Sequence, residues 1–200
     1  GIEKESSGTV LYDDEPYQSN WLGKILPHVE IFYSNNPELE SSSQTVAGYV
    51  AEKFGKKKNV IENRYFNEGS FRNLWSRKMK LISQGERHWL GMILACEADP
   101  RVLLVDDYGI YFNANMEKDF RNQLTKMNRT LGTTLVLSSP TDVHLKKFAS
   151  VLIYLDNGHI SKIRPGLSRS SQRSPSRDKK DNKNNHGNRN SRNQNSKNKR

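Results

Sequence analysis

Two hundred residues, 34% of them apolar, can enclose one ordinary core and little more. The formal charge of +10 is uneven: from Pro165 onward eleven Lys or Arg stand with two Asp, leaving 21 basic and 20 acidic residues before it, so the body is nearly neutral. The single cysteine, Cys96, excludes an intramolecular disulfide framework, no Cys/His spacing suits a metal, and no apolar run approaches the roughly 20 residues of a membrane-spanning helix.

In chain order, "GTVLYDDEPY" reads as an alternating strand ending in an Asp-rich turn and Pro16, and "VEIFYSNNPE" as a strand closed by Asn35-Asn36-Pro37; an edge or antiparallel subsheet is expected there. From "SSSQTVAGYVAEKFG" to "SRKMKL" the pattern is helical and mixed, with Ser/Thr caps, Gly55 as a helix stop and Lys56-Lys57-Lys58 as a solvated turn. A cleaner alternation follows. A helix starts near Ser83, a strand runs from Val102 to Asp106, and "NMEKDFRNQLTKMNRT" is an amphipathic helix. "TTLVLSS" is a second apolar strand, "DVHLKKFASV" a further helix, and "VLIYLDNGHISKI" two strands joined at Asn157-Gly158, a pair that tolerates the positive φ of a tight hairpin. Helices alternating with continuous apolar strands predict an α/β fold, a parallel sheet covered by helices on both faces, with an N-terminal antiparallel portion and a C-terminal hairpin.

The globular domain is expected over residues 1–164. The tail over 165–200 has no Phe, Tyr or Trp and no aliphatic residue beyond Leu167, so it cannot bury enough surface to offset its ordering entropy and is expected to be disordered. It reads as a solvated charge run, with contact to an anionic membrane surface or RNA as the other readings. No signal-peptide pattern opens the chain, which is expected to be soluble or joined to a membrane through a partner.

Asp106 and Asp107 follow directly on Val102-Leu103-Leu104-Val105. Ligands of open parallel sheets lie beyond the carboxyl ends of the strands. Two acids there either cap the next helix, or one supports a magnesium ion through water while its neighbour orients an attacking water.

The segment before them adds a resemblance. Ser83-Gln84-Gly85-Glu86 at a helix start resembles the Leu-Ser-Gly-Gly-Gln signature of ABC-type ATPases, and "ADPRVLLVDD" resembles their "DPRLLLLDE" Walker B strand at the family's own spacing. "FYSNNPEL" occupies the place of the Q-loop "VPQNPEL", "GTTLVLSSPTD" resembles "GTTVLLSSHD", and "ASVLIYLDNGHI" resembles "ADRVLVLDDGRI". The match runs from about Gly1 to Ile163 in the family's order. It implies a P-loop NTPase-like fold and an ATP-binding subunit of an ABC transporter, with ATP and Mg2+ as ligands. It also implies a transmembrane transporter subunit and a second nucleotide-binding domain as partners, and a cytoplasmic location on the inner face of the cell membrane. Members that act on ribosomes or DNA usually carry paired domains, which this length does not accommodate, so nucleic acid is not an expected partner.

By the same resemblance, Ser83, Gly85 and the N–H groups opening their helix present partial positive charge to the γ-phosphate held by a second domain. Ser83 and Glu86 also read as a capping box, and both roles can hold. Glu86 in place of glutamine and Gln84 in place of glycine add charge and bulk, which implies weaker nucleotide sandwiching. Asp106 matches the aspartate that supports magnesium. Asp107 matches the catalytic glutamate but is a methylene shorter, about 1.5 Å further back, where a misplacement of about 1 Å can cost on the order of a hundredfold. Asn35 takes the place of the Q-loop glutamine on a shorter arm. Pro140 takes the place of the switch histidine and has no side-chain donor and no N–H; His144 nearby reads as a helix-surface residue rather than a displaced switch. The D-loop is unrecognisable in "GIYFNANM". The Walker A pattern G-x-x-x-x-G-K-[ST] occurs nowhere in the 200 residues. In the family it precedes the segment resembling "GIEKESSG": either a longer parent polypeptide supplies it, as an opening on Gly1 in place of Met suggests, or this is an ATPase relic. Hydrolysis is therefore expected to be impaired, the alternative being an inactive regulatory or scaffolding domain.

Overall fold

The computed structural model describes residues 7–67 and 69–166; the expected disorder of the basic tail concerns positions that, beyond Gly166, lie outside the described residues. Three parallel strands form the central sheet: β3 (Ile31–Tyr33), β4 (Val102–Val105) and β5 (Thr134–Leu137), in the order β3-β4-β5. Two antiparallel pairs flank it in sequence. The first joins β1 (Leu11–Tyr12) to β2 (Glu15–Pro16) through Asp13 and Asp14, both left-handed at φ 50° and 64°. The second joins β6 (Val151–Asp156) to β7 (His159–Pro165) through Asn157 and Gly158, at φ 47° and 80°, as the Asn-Gly pair predicts.

Residues 9–16 thus hold a two-residue-stranded hairpin rather than one strand, and β3 forms an edge of the parallel sheet, so the expected antiparallel pair and edge are both present. Arg101, at the entry to β4, ties these pieces together through Asp13 and Glu30, each at 3.4 Å, while the Tyr12 hydroxyl donates to Glu30 at 2.8 Å.

Helices α1 (Glu38–Ser41), α2 (Val46–Phe54) and α3 (Lys58–Tyr65) follow β3. Thr45 caps α2, accepting from the Gly48 N–H at 3.1 Å, and Gly55 ends it at φ 51°. The expected lysine turn is helical: Gly55–Lys57 is a 3₁₀ turn that runs into α3. α4 (Gln84–Ala98) connects to β4, and α5 (Ala114–Lys126), extended by a π-type turn over Met127–Leu131, connects to β5. "DVHLKKFASV" yields only a 3₁₀ turn at Leu145–Lys147, because its apolar anchors Leu145 and Phe148 span one turn and β6 begins three residues later.

The strand order explains where the core sits. β3 to β4 and β4 to β5 step the same way across the sheet, and right-handed crossovers then place α4 and α5 on the same face. Leu103 and Val105 point to that face and are buried with Leu90, Ile93, Phe120 and Leu124. The opposite face carries Val102, Leu104 and Val136, the last 55% exposed. Helices cover one face of the sheet among the described residues, where cover on both was expected. α4 is central: Trp89 to Ala95 are seven consecutive buried residues, and Trp89 stacks on Phe71 at 3.9 Å and meets Phe66 edge-on at 5.2 Å. Burial pushes the Cys96 thiol up to about 12, so it is held as an unreactive thiol. No described helix is long and apolar enough to cross a membrane.

One contact locks α4 to the end of β3. A Cβ on Gly91 would lie 2.1 Å from the Ser34 carbonyl oxygen, so only glycine allows the approach. Gly91→Ala is expected to lower stability by about 1–3 kcal/mol through overpacking, read as a lower urea midpoint. Gly85→Ala, whose Cβ would meet Tyr111 at an ordinary 3.8 Å, should change it by no more than about 1 kcal/mol.

Candidate functional site

The carboxyl ends of the three strands open onto one edge. The Ser34 N–H donates to the Leu104 carbonyl at 3.0 Å and the Ser138 N–H to the Val105 carbonyl at 2.9 Å, so the parallel ladder carries past each strand end and fixes the loops that follow. Three of the sequence-derived site residues stand in those loops: Asn35 after β3, Asp106 and Asp107 after β4.

Asp106 Oδ1 accepts from the Ser138 hydroxyl in a short bond and from the Asp107 N–H at 3.1 Å, which also points at the Ser138 Oγ, 3.3 Å away. Asp106 Oδ2 has no hydrogen-bond partner among the described residues and is exposed at the strand end. Asp107 adopts a left-handed backbone, φ 56°. Asn35 is anchored by the Ser34 hydroxyl, which donates to its Oδ1 at 2.7 Å. Burial, and then the charges of Asp106 and Asp107, push the Tyr33 hydroxyl above its ordinary range, which puts the last residue of β3 within the field of both acids.

Asn35 and Asp107 share a pocket of about 140 Å³ with Gln84, Arg87 and His88 of α4. Ser83 and Gly85 stand at the start of α4 and are not among its lining residues. Their helix opens on the capping box that the sequence predicts: Ser83 Oγ accepts from the Glu86 N–H at 3.3 Å, and the Glu86 carboxylate accepts from the Ser83 N–H at 2.7 Å. Arg77 pairs with Glu86 at 2.9 Å and donates to the Leu81 carbonyl at 2.8 Å. The charge that glutamate adds here is therefore neutralised locally. Burial pulls the Glu86 carboxyl upward, but the Ser83 bonds and Arg77 outweigh it and hold the group below the ordinary glutamate range.

Sequence reasoning missed three members of this edge. Ser138 sits in "LVLSSPTD", but its bond to Asp106 depends on strand pairing 32 residues apart. Tyr33 and His88 carry no motif signal. Burial pulls the His88 imidazole below its ordinary value, against the charges of Asp107 and Asp106, which raise it; its ring packs on Tyr111, centroids 4.4 Å apart. His144 belongs elsewhere. It opens the 3₁₀ turn rather than lying on a helix surface, and its Nδ1 is buried 3.7 Å from the Glu117 carboxylate, with the ring against Gly109.

Among the described residues no three His, Cys, Asp or Glu side chains gather as a metal cage. Mg2+ needs none: it is held through one or two carboxylates and keeps its waters and phosphate oxygens, which a single free carboxylate oxygen on Asp106 fits. The described residues thus suit the metal and γ-phosphate end of a nucleotide, while a glycine-rich cradle for the remaining phosphates is not in the sequence.

A three-stranded parallel order with acids at its carboxyl edge, a capped helix beside them and a closing hairpin is the fold of ABC-type ATPase domains. CbiO1 of Clostridium perfringens, part of the ABC transporter complex cbiONQ, superposes with a TM-score of 0.57 at 16% identity, over 86% of this chain and 70% of that one. The ATP-binding cassette MJ0796, in a dimeric post-hydrolysis state with ADP and Pi, superposes with a TM-score of 0.51 at 15% identity, over 68% and 62%. The chain's relatives are ATP-binding subunits of ABC transporters. The sulfate/thiosulfate import ATP-binding protein CysA 2 of Agrobacterium fabrum is 24% identical over 184 residues, covering 88% of this chain and 52% of its own. The spermidine/putrescine import ATP-binding protein PotA of Bacillus thuringiensis (strain Al Hakam) is 24% identical over 169 residues, covering 82% and 50%. The chain spans about half the length of these curated relatives. No family model matches it.

The capping box makes a pH-dependent contribution. Because the folded Glu86 lies below its unfolded value of about 4.5, its share of stability is full above that pH and is lost as pH falls through the lower folded value. Thermal unfolding should therefore show wild type and Glu86→Gln converging below about pH 4 and separating above it, with Ser83→Ala costing about 1 kcal/mol at neutral pH.

Proposed function

We propose that this chain is the Walker B and signature part of an ATP-binding subunit of an ABC transporter, coupling ATP binding and slow hydrolysis to transport through a membrane partner. The observation that carries the reading is the strand-edge cluster: Asp106 with a free carboxylate oxygen, and Asp107 and Asn35 facing one pocket at neighbouring strand ends.

Bound Mg2+ and ATP would supply a phosphoryl group whose negative charge the metal offsets. The chain's own residues divide the remaining work. Asp106 would support the metal, while the Ser138 hydroxyl keeps its Oδ1 in place. Asp107 would orient the water, and Asn35, at the end of the adjoining strand, would link the metal to the transmembrane partner. Ser83 and Gly85 offer the N–H groups at the start of α4 to the phosphate of a second nucleotide-binding domain. The working unit is a dimer docked on a transmembrane subunit, at the cytoplasmic face of the membrane, and the charge of the basic tail suits contact with anionic lipid. Hydrolysis is slow because Pro140 offers no donor and Asp107 reaches less far than glutamate.

A second reading, an inactive scaffolding domain, draws on one observation: Ser83, Glu86 and Arg77 close into a cap network that has a purely structural use. ATP titration of the full chain in its native assembly separates the two. Magnesium-dependent binding is expected, weakened at least about tenfold by Asp106→Ala, with turnover on the order of a hundredfold below that of a glutamate-bearing domain. Binding that ignores both magnesium and Asp106, or no binding at all, leaves the scaffold.

A further inference from the structure

The least explained group at this edge is His88. It is a half-buried imidazole in the second turn of α4, and its ring lines the pocket that Asn35, Gln84 and Asp107 share. The ring packs on Tyr111 at a tilt of 38°, centroids 4.4 Å apart. Among the described residues neither ring nitrogen has a hydrogen-bond partner, and neither is fully buried. Both acids act on the ring electrostatically, Asp107 more than Asp106. The neighbouring Arg87 is already engaged, donating to Glu40 at 3.0 Å and to the Ile82 carbonyl at 3.3 Å. Pro140 offers no donor, and His144 has its Nδ1 buried 3.7 Å from the Glu117 carboxylate and its ring against Gly109.

We propose that His88 is the side chain with which this chain hydrogen-bonds the water held between Asp107 and Asn35, a polar contact from the signature helix of the same chain that takes over a task Pro140 cannot perform. The assignment rests on the ATP-binding reading above. Its chemistry is a hydrogen bond and involves no proton transfer. A pocket of about 140 Å³ is sized for water and a phosphoryl oxygen and not for a nucleoside. A ring nitrogen aimed at that water would restrict its orientation at little entropic cost, since Tyr111 already holds the ring.

The test uses the full chain in the assembly that co-purifies with it, with Mg2+ and ATP as probes. His88→Ala and His88→Phe are expected to lower kcat about tenfold or more while KM stays within about twofold, because the contact is made to water and not to the nucleotide. His88→Phe keeps an aromatic ring against Tyr111 and removes the nitrogens. His88→Gln, which restores a hydrogen-bonding group without the ring, is expected to recover most of the rate, and His144→Ala to leave it within about twofold. At fixed pH the His88 ring nitrogen resonances should shift on addition of Mg2+ and a non-hydrolysable ATP analogue. Wild-type-like turnover in His88→Phe, or unmoved His88 resonances in an assembly that binds the analogue, overturns the assignment alone. Failure of the wild-type assembly to bind Mg2+ and ATP overturns the functional reading and this assignment together.

Discussion

Strand β4 is hydrogen-bonded on both sides, and its two parallel registers set the level at which every loop of the site begins. Tyr33 lies opposite Leu104 and Leu137 opposite Val105, so the chain leaves β3, β4 and β5 within a residue of one another. The same one-directional strand order sends α4 and α5 to a single face and leaves the loops free at the carboxyl edge. α4 must then lie close to the sheet, and Gly91 sets how close. His88 is three residues earlier on that helix, near the same line of its surface, and so falls just beyond the end of β3 beside Asn35. A backbone contact in the core thereby determines which helical side chain can look into the pocket.

The edge is electrostatically mixed. Two carboxylates follow β4, and Asp107 shares a pocket with Gln84 at the start of α4, a helix end that carries partial positive charge. A glutamate in the first turn of that helix would ordinarily oppose an anionic ligand. Here the carboxylate turns back on the Ser83 N–H and pairs with Arg77, so its charge is spent inside the cap. The carboxylate strengthens the helix end without leaving an unpaired negative charge at the opening.

Local rules made much of this legible. Asn157-Gly158 announced its hairpin because positive φ at two successive residues leaves few alternatives, and Ser83 with Glu86 announced a helix start because the box is a contact between residues three apart. What the sequence concealed is what depends on pairing at a distance. β3 reads only as a strand closed by Asn35-Asn36-Pro37, and its parallel register is set by β4, some 70 residues on. "DVHLKKFASV" has helical spacing but too short a stretch between Pro140 and β6 to extend it. Ser138, Tyr33 and His88 join the site only because the sheet and α4 bring separate segments to one edge, and no spacing in the chain encodes that.

The identity of Asp107 acquires a second meaning from its backbone. Read from its motif, it is a shortened glutamate, and the lost methylene is its whole significance. Its φ of 56° lies in the left-handed region, where aspartate and asparagine are enriched and longer side chains are not. The turn is enforced by its own N–H, which points at both Asp106 Oδ1 and Ser138 Oγ, and by the Tyr108 N–H, which donates to the Ser138 carbonyl at 2.9 Å. A glutamate placed there would gain reach and lose backbone ease. The carboxylate's aim into the pocket is therefore set first by this turn and only second by side-chain length. Asp107 at that turn, Asn35 and His88 line one pocket.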